Sequence, residues 1–148
     1  MSPTTAIHRL RLVLAANAPF SIAGGLLALV AGSWVSRELG VDHVTITRVT
    51  GASLVAFGIG VGVLAQRDDE QLTAGALVVS IADALWVVGT IAVVAAGVTT
   101  RTGTVVAVAL GVAVADFGAV QYRLRAVGSG TASATGVAAA APSSAARR

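Results

Sequence analysis

The sequence contains no cysteine, and all ten of its basic residues are arginine, none lysine. Without cysteine there are no disulfides, no thiolate metal sites and no thiol redox chemistry. Charge of either sign is scarce: 11% of the 148 residues are charged, against about 25% in a typical soluble domain. That is too little to hydrate a globular surface, while 55% of residues are hydrophobic and the mean hydropathy is +0.85. An integral membrane protein is the class that fits. The pI near 11.1 rests on a net charge of only +3. The arginines are scattered at segment ends without interleaved aromatics, so no nucleic-acid partner is expected. An all-arginine basic set with abundant Ala, Val and Gly fits a GC-rich bacterial genome.

What the chain does have is long uncharged runs. Leu12–Ser36 (25 residues) and Val49–Gln66 (18) carry no charge; Gln71–Thr100 is interrupted only by Asp83, and Thr102–Tyr122 only by Asp116. A hydrocarbon core of about 30 Å needs about 20 helical residues. Four spans follow, at about 11–35, 44–66, 71–96 and 102–123, within a transmembrane domain covering residues 1–126. The second begins near Val44, with Arg48 snorkelling outward. Asp68-Asp69-Glu70-Gln71 reads as a helix start, with acids at the positive helix end and capping-box spacing from Asp68 to Gln71. Residues 127–148, rich in Gly, Ser, Ala and Thr, read as a flexible cytoplasmic tail.

Arginine placement sets the orientation. Arg9, Arg11, Arg67, Arg123 and Arg125 fall on one side, and Arg37, Arg48 and Arg101 on the other. Five against three puts both termini in the cytoplasm. The first apolar run is too long for the h-region of a cleaved signal, about 7–15 residues, and is expected to stay as a span.

Helices in lipid associate through close backbone contact and a few polar bonds. Small residues supply the seams: Gly24, Ala28 and Gly32 on span one, Gly58 and Gly62 on span two, and Ala107, Gly111 and Ala115 on span four. A bundle of such short side chains leaves little room for a lumen, and none is expected. Pro19 is expected to kink span one.

The two isolated acids are the candidate site. An ionisable group at hydrocarbon depth costs about 2.5–3.5 kcal/mol on insertion scales and marks function by default. Ser80, Asp83, Trp86 and Thr90 approximate one stripe of span three, Asn17 and Ser21 share a face of span one, and Asp116 precedes Gln121 on span four. Rising from the cytoplasmic ends, Asn17 and Asp116 lie about 8–9 Å deep and Asp83 about 14–18 Å. Asp83 and Asp116 are expected to face inward with Asn17, Ser80, Trp86 and Gln121, and the Trp86 indole N–H to find Asp83. Three readings stand. Each acid is protonated or hydrogen-bonded and joins helices; or the cluster binds a cation, a proton or a small amphiphile; or the aspartates act as a catalytic pair. Neither acid carries the Gly-x-Gly-Asp signature of intramembrane aspartyl proteases. His8 and His43 sit on opposite sides, so no metal site and no cofactor are expected. Trp34 and Tyr122 read as interfacial anchors.

Several segments together, Asn17-Ala18-Pro19-Phe20-Ser21 with Gly24-Gly25-Leu26-Leu27, Arg48-Val49-Thr50-Gly51, Asp83-Ala84-Leu85-Trp86-Val87-Val88-Gly89, and Ala115-Asp116-Phe117 with Gln121-Tyr122, carry a likeness. Over roughly residues 10–125 the chain resembles a group of small bacterial four-span integral membrane proteins. That resemblance implies the four-span layout and no particular activity. Small multidrug-resistance transporters use an acid in span one, which is lacking here. Quinone-linked disulfide enzymes need cysteines, and likeness to DoxX-like proteins stops at four spans and an apolar composition.

The reading is therefore an all-α four-helix transmembrane bundle of the bacterial inner membrane with both termini inside. It acts as a non-enzymatic accessory or binding component; the alternative is a small transporter or proton-coupled subunit using Asp83 and Asp116. The lipid bilayer is its first partner, and a second copy or another membrane protein the next.

Overall fold

A computed structural model of the chain describes residues 2–139, with side chains described through residue 128. These residues form five helices and no strand: α1 (Pro3–Val30), α2 (Gly32–Leu39), α3 (Val44–Leu64), α4 (Asp69–Ala95) and α5 (Arg101–Ala139). Four of them, α1, α3, α4 and α5 as far as Gly128, are long and apolar enough to cross a membrane.

The helix ends follow local chemistry. α1 starts eight residues before the expected 11 because Ser2 caps it, accepting from the Thr5 amide, and Pro3 occupies the first turn. It runs through Pro19, whose ring lies on an exposed face, and stops at Val30. The expected first span, 11–35, thus contains a break at Ala31. Beyond it the short α2 meets α3, with the Ser36 and Thr47 hydroxyls 2.7 Å apart, and ends at Gly40 with φ 76°. The Arg48 stem lies close over Gly32, where a methyl group would stand 3.0 Å from its Cγ. At α4 the expected cap is present: Asp68 accepts from the Gln71 amide at 2.9 Å, with Asp69 and Glu70 in the first turn. α5 continues to Ala139, well past the expected end at 123 and into the segment read as a tail; residues 140–148 lie outside the described residues. A helix already formed needs only propagation, so Ala- and Val-containing sequence that could not nucleate alone can extend it.

The four long helices alternate in direction. α1 packs most extensively on α3, α4 packs on α5, and α1 joins the two pairs through α5. The order around the bundle is therefore α3, α1, α5, α4. Its remaining edge is loose: α3 and α4, consecutive in the chain, have little contact, and α3 and α5 do not approach.

One end of the bundle is tight. Leu10 and Leu14 of α1, Val61 of α3, Leu72 and Val79 of α4 and Leu124 of α5 share one buried cluster. Arg11 closes this end, donating to the Ala65 and Arg67 carbonyls and pairing with Asp69 at 2.9 Å. Elsewhere the perimeter is as apolar as the core. Val30 is 85% exposed, Val78 68% and Leu85 67%, with Ile91, Val105 and Val112 similarly open.

The α1–α3 contact depends on missing side chains. A methyl group on Gly25 would stand 2.5 Å from the Gly51 carbonyl oxygen, and one on Gly51 2.7 Å from that of Gly25. Gly58 is equally tight against the Ala18 carbonyl. The seam thus uses Gly25, Gly51 and Gly58. Gly24, expected in it, has open space beside it, and Gly62 only brushes Ala18. Gly24 and Gly25 differ by about 100° around the helix, so only one of them can face α3.

Gly51→Leu is expected to lower stability by about 1–3 kcal/mol or more through overpacking. Gly60→Ala, at a position with open space, should be neutral or stabilising by up to about 1 kcal/mol. Denaturation of the purified protein in mixed micelles, followed by helical circular dichroism, distinguishes the two.

Candidate functional site

α1, α4 and α5 each bring one polar side chain to a common point midway along the bundle. Asp83 of α4 is 3% exposed, Asn17 of α1 1% and Gln121 of α5 fully buried. The Asn17 amide donates to Asp83 Oδ2 at 3.3 Å, and the Gln121 amide donates to the same oxygen at 3.4 Å. Ser21, one turn beyond Asn17, donates to its Oδ1 at 3.2 Å and so orients the amide. α5 can come this close because of Gly118, where a methyl group would stand 3.2 Å from Asp83 Cβ. The arrangement obeys the rule that buried polar groups find partners.

Two atoms depart from full satisfaction. Asp83 Oδ1 accepts no hydrogen bond from the described residues, since both amides converge on Oδ2. Gln121 Oε1 is buried without a donor. An ionised carboxylate uses the Gln121 NH₂ as observed. A neutral carboxyl has one O–H to donate, and a turned Gln121 amide would accept it.

The remaining expected residues are placed differently. Ser80 is buried on the Asp83 face but donates to the Ala76 carbonyl at 2.8 Å within its own helix. Trp86 lies half-buried near Asp83, and its indole N–H makes no hydrogen bond to the carboxylate, whose donors arrive from α1 and α5. Asp116 does not face inward. It is exposed in a groove between α1 and α5, among Leu12, Ala16, Phe117 and Val120, with no hydrogen bond or ion pair among the described residues. The reason is angular: five residues separate it from Gln121, which turns it about 140° away from the buried face. Asp83 and Asp116 therefore open onto different surfaces and do not form a catalytic pair, which would need both carboxyls in one site.

Beside Asp83 lies a cavity of about 450 Å³, bounded by all four long helices. Its walls include Phe20 and Gly24 of α1, Leu54 and Phe57 of α3, Trp86 of α4 and Leu110 of α5. The space is open to one side, with Phe20, Gly24 and Leu110 exposed along it, so it is a lateral pocket and not the lumen whose absence was expected. The glycine seam draws α3 onto α1 and leaves α4 behind. Phe20 also touches Phe117, ring centroids 5.7 Å apart. Three of the six aromatic residues in the chain, Phe20, Phe57 and Trp86, line this one space. Nothing in their sequence spacing marks them as neighbours; only their scarcity singles them out.

Among the described residues no group of three or more His, Cys, Asp or Glu side chains could hold a metal ion. No protein-family model matches the chain, and no curated protein or solved structure shows significant similarity to it.

Asn17→Ala strips Asp83 of one donor and leaves the Ser21 hydroxyl unpaired, and is expected to cost about 1–3 kcal/mol. Asp116→Asn, at an exposed site, should stay within about 0.5 kcal/mol of the parent. The same micellar denaturation measures both.

Proposed function

We propose that the chain is a four-span integral membrane protein of the bacterial cytoplasmic membrane, with both termini inside. On this reading it is a binding or accessory component without enzymatic activity, and Asp83 is its functional centre. The observation that carries the membrane assignment is the apolar perimeter. Large hydrophobic side chains such as Val30, Val78 and Leu85 point outward along helices that are each long enough to span. Helices apolar on every side need a non-aqueous surround. Orientation is supported by the arginines: Arg9, Arg11, Arg67, Arg123 and Arg125 belong to the tight end, and Arg37, Arg48 and Arg101 to the other.

The binding reading draws on what Asp83 touches. Its hydrogen-bonding shell consists of two amides, with no nucleophile, base or second acid. That chemistry holds a carboxyl group in place and offers no step of bond cleavage. The cavity at its side favours, as a second reading, a small transporter that uses Asp83 alone, since Asp116 lies in a separate groove.

Because the chain has no native cysteine, single cysteines report topology directly. Asp42→Cys, between α2 and α3, should react with a membrane-impermeant maleimide on intact spheroplasts. Glu70→Cys, at the start of α4, should react only after permeabilisation. The reverse pattern would invert the topology, and protein stripped from membranes by alkaline carbonate would refute the spans altogether. A stoichiometric membrane partner recovered in mild detergent supports the accessory role; flux in proteoliposomes abolished by Asp83→Asn supports the transporter.

A further inference from the structure

The cavity beside Asp83 combines three features that together define a ligand class. First, it holds an ionisable carboxyl group with no cationic side chain bonded to it. Arg11 pairs with Asp69 at the tight end, while Asp83 hydrogen-bonds to neutral amides, with Oδ1 unbonded. Second, the wall hydroxyls spend their protons elsewhere, Ser21 on Asn17 and Ser53 on the Val49 carbonyl, and can offer a head group only neutral lone pairs. Asp83 is the one ionisable group on the wall. Third, the rest of the wall is aromatic and aliphatic, with the rings of Phe20, Phe57 and Trp86 among it. Ring faces attract cations, and desolvation strengthens the attraction.

A hard metal ion does not suit this wall. Calcium takes six to eight oxygen ligands at about 2.3–2.6 Å and magnesium about six, and here one carboxylate stands among apolar groups. A volume of about 450 Å³ falls instead within the range of small-molecule pockets, about 300–1,000 Å³. The pocket is open to one side, and α3 and α4, which both line it, have little contact with each other.

We propose that this cavity binds an amphiphilic organic monocation. Its ammonium head lies beside Asp83 among Phe20, Phe57 and Trp86, and its apolar body extends toward the gap between α3 and α4. The proposal rests on the reading of Asp83 as a binding group inside a membrane-embedded bundle, and it deepens that reading by naming the ligand.

The test uses the full chain carrying Trp34→Phe, which leaves Trp86 as its one tryptophan, reconstituted in phosphatidylcholine nanodiscs. Octyltrimethylammonium is titrated against Trp86 fluorescence. Its uncharged carbon isostere, with tert-butyl in place of the trimethylammonium head, is the control. A saturable signal with the cation is expected. Its affinity should fall about tenfold or more in Asp83→Asn, the scale of one desolvated charge contact. Gly24→Leu fills the cavity from a position with open space beside it, so it should remain folded and weaken binding comparably. Asp116→Asn should leave the affinity unchanged, and the isostere should give no saturable signal in the parent or in Asp83→Asn. If Asp83→Asn does not reconstitute, Gly24→Leu decides. A signal that never saturates, or equal affinity in the parent and these variants, overturns the cation site while the membrane reading stands. Failure of the chain to stay with the nanodiscs overturns the membrane reading, and the proposal with it.

Discussion

A carboxyl group shut away from water has to be satisfied by the helices around it, and most of this architecture follows from how Asp83 meets that demand. Its donors are Asn17 on α1 and Gln121 on α5, both at one oxygen. Three helices are thereby fixed in height and rotation at once, because an amide bond tolerates little displacement before a buried polar group is stranded. A slide of one residue on α1 would turn Asn17 by about 100° and replace it with an apolar side chain. The close passage of Gly118 by Asp83 belongs to the same device, since a larger residue would push Gln121 out of range.

α3 is held by different means. It carries no member of the amide cluster and is fastened to α1 by shape, through backbones that meet at Gly25, Gly51 and Gly58. Polar bonds thus join α1, α4 and α5, and a glycine seam joins α1 and α3. Neither joins α3 to α4 beyond the turn between them, where Leu64 packs on Gly75. At that end the leucine cluster and Arg11 close the bundle. Away from it the two helices are free to part, and the cavity occupies the space. Its position is a consequence of which helix pairs are fastened and which are not.

Much of this was legible in the sequence. The rarity of charge and the length of the uncharged runs locate the four long helices, and Asp68 with Gln71 marks the start of α4. Asn17, Asp83 and Gln121 stand out because each is a polar residue in an apolar run, and the structure brings these three together. What was not legible depended on rotation. Asp116 has the same isolation as Asp83, yet Gln121 claims the inward face of α5 and turns Asp116 outward. Gly24 and Gly25 are adjacent and chemically identical, so no rule of spacing tells which of them faces α3. The break at Ala31 falls inside an unbroken uncharged run, and no Gly, Pro or charge at that position announces it. The cavity is a property of four helices together and leaves no trace in any one of them.

The loose edge also bears on what can select a ligand. In a bilayer, acyl chains would enter the gap between α3 and α4 and cover its apolar walls, so apolar contact by itself gives a solute no advantage over lipid. Discrimination must then come from a group whose needs lipid tails cannot meet, and beside this cavity that group is Asp83. Burial sharpens its preference, because an uncompensated charge in an apolar site costs far more than one in water. The amide cluster therefore has two effects. It locks α1, α4 and α5 together through Oδ2, and it holds the carboxyl in a fixed place at the cavity with Oδ1 left unbonded. The same interaction that determines how the helices meet determines what the space between them can recognise.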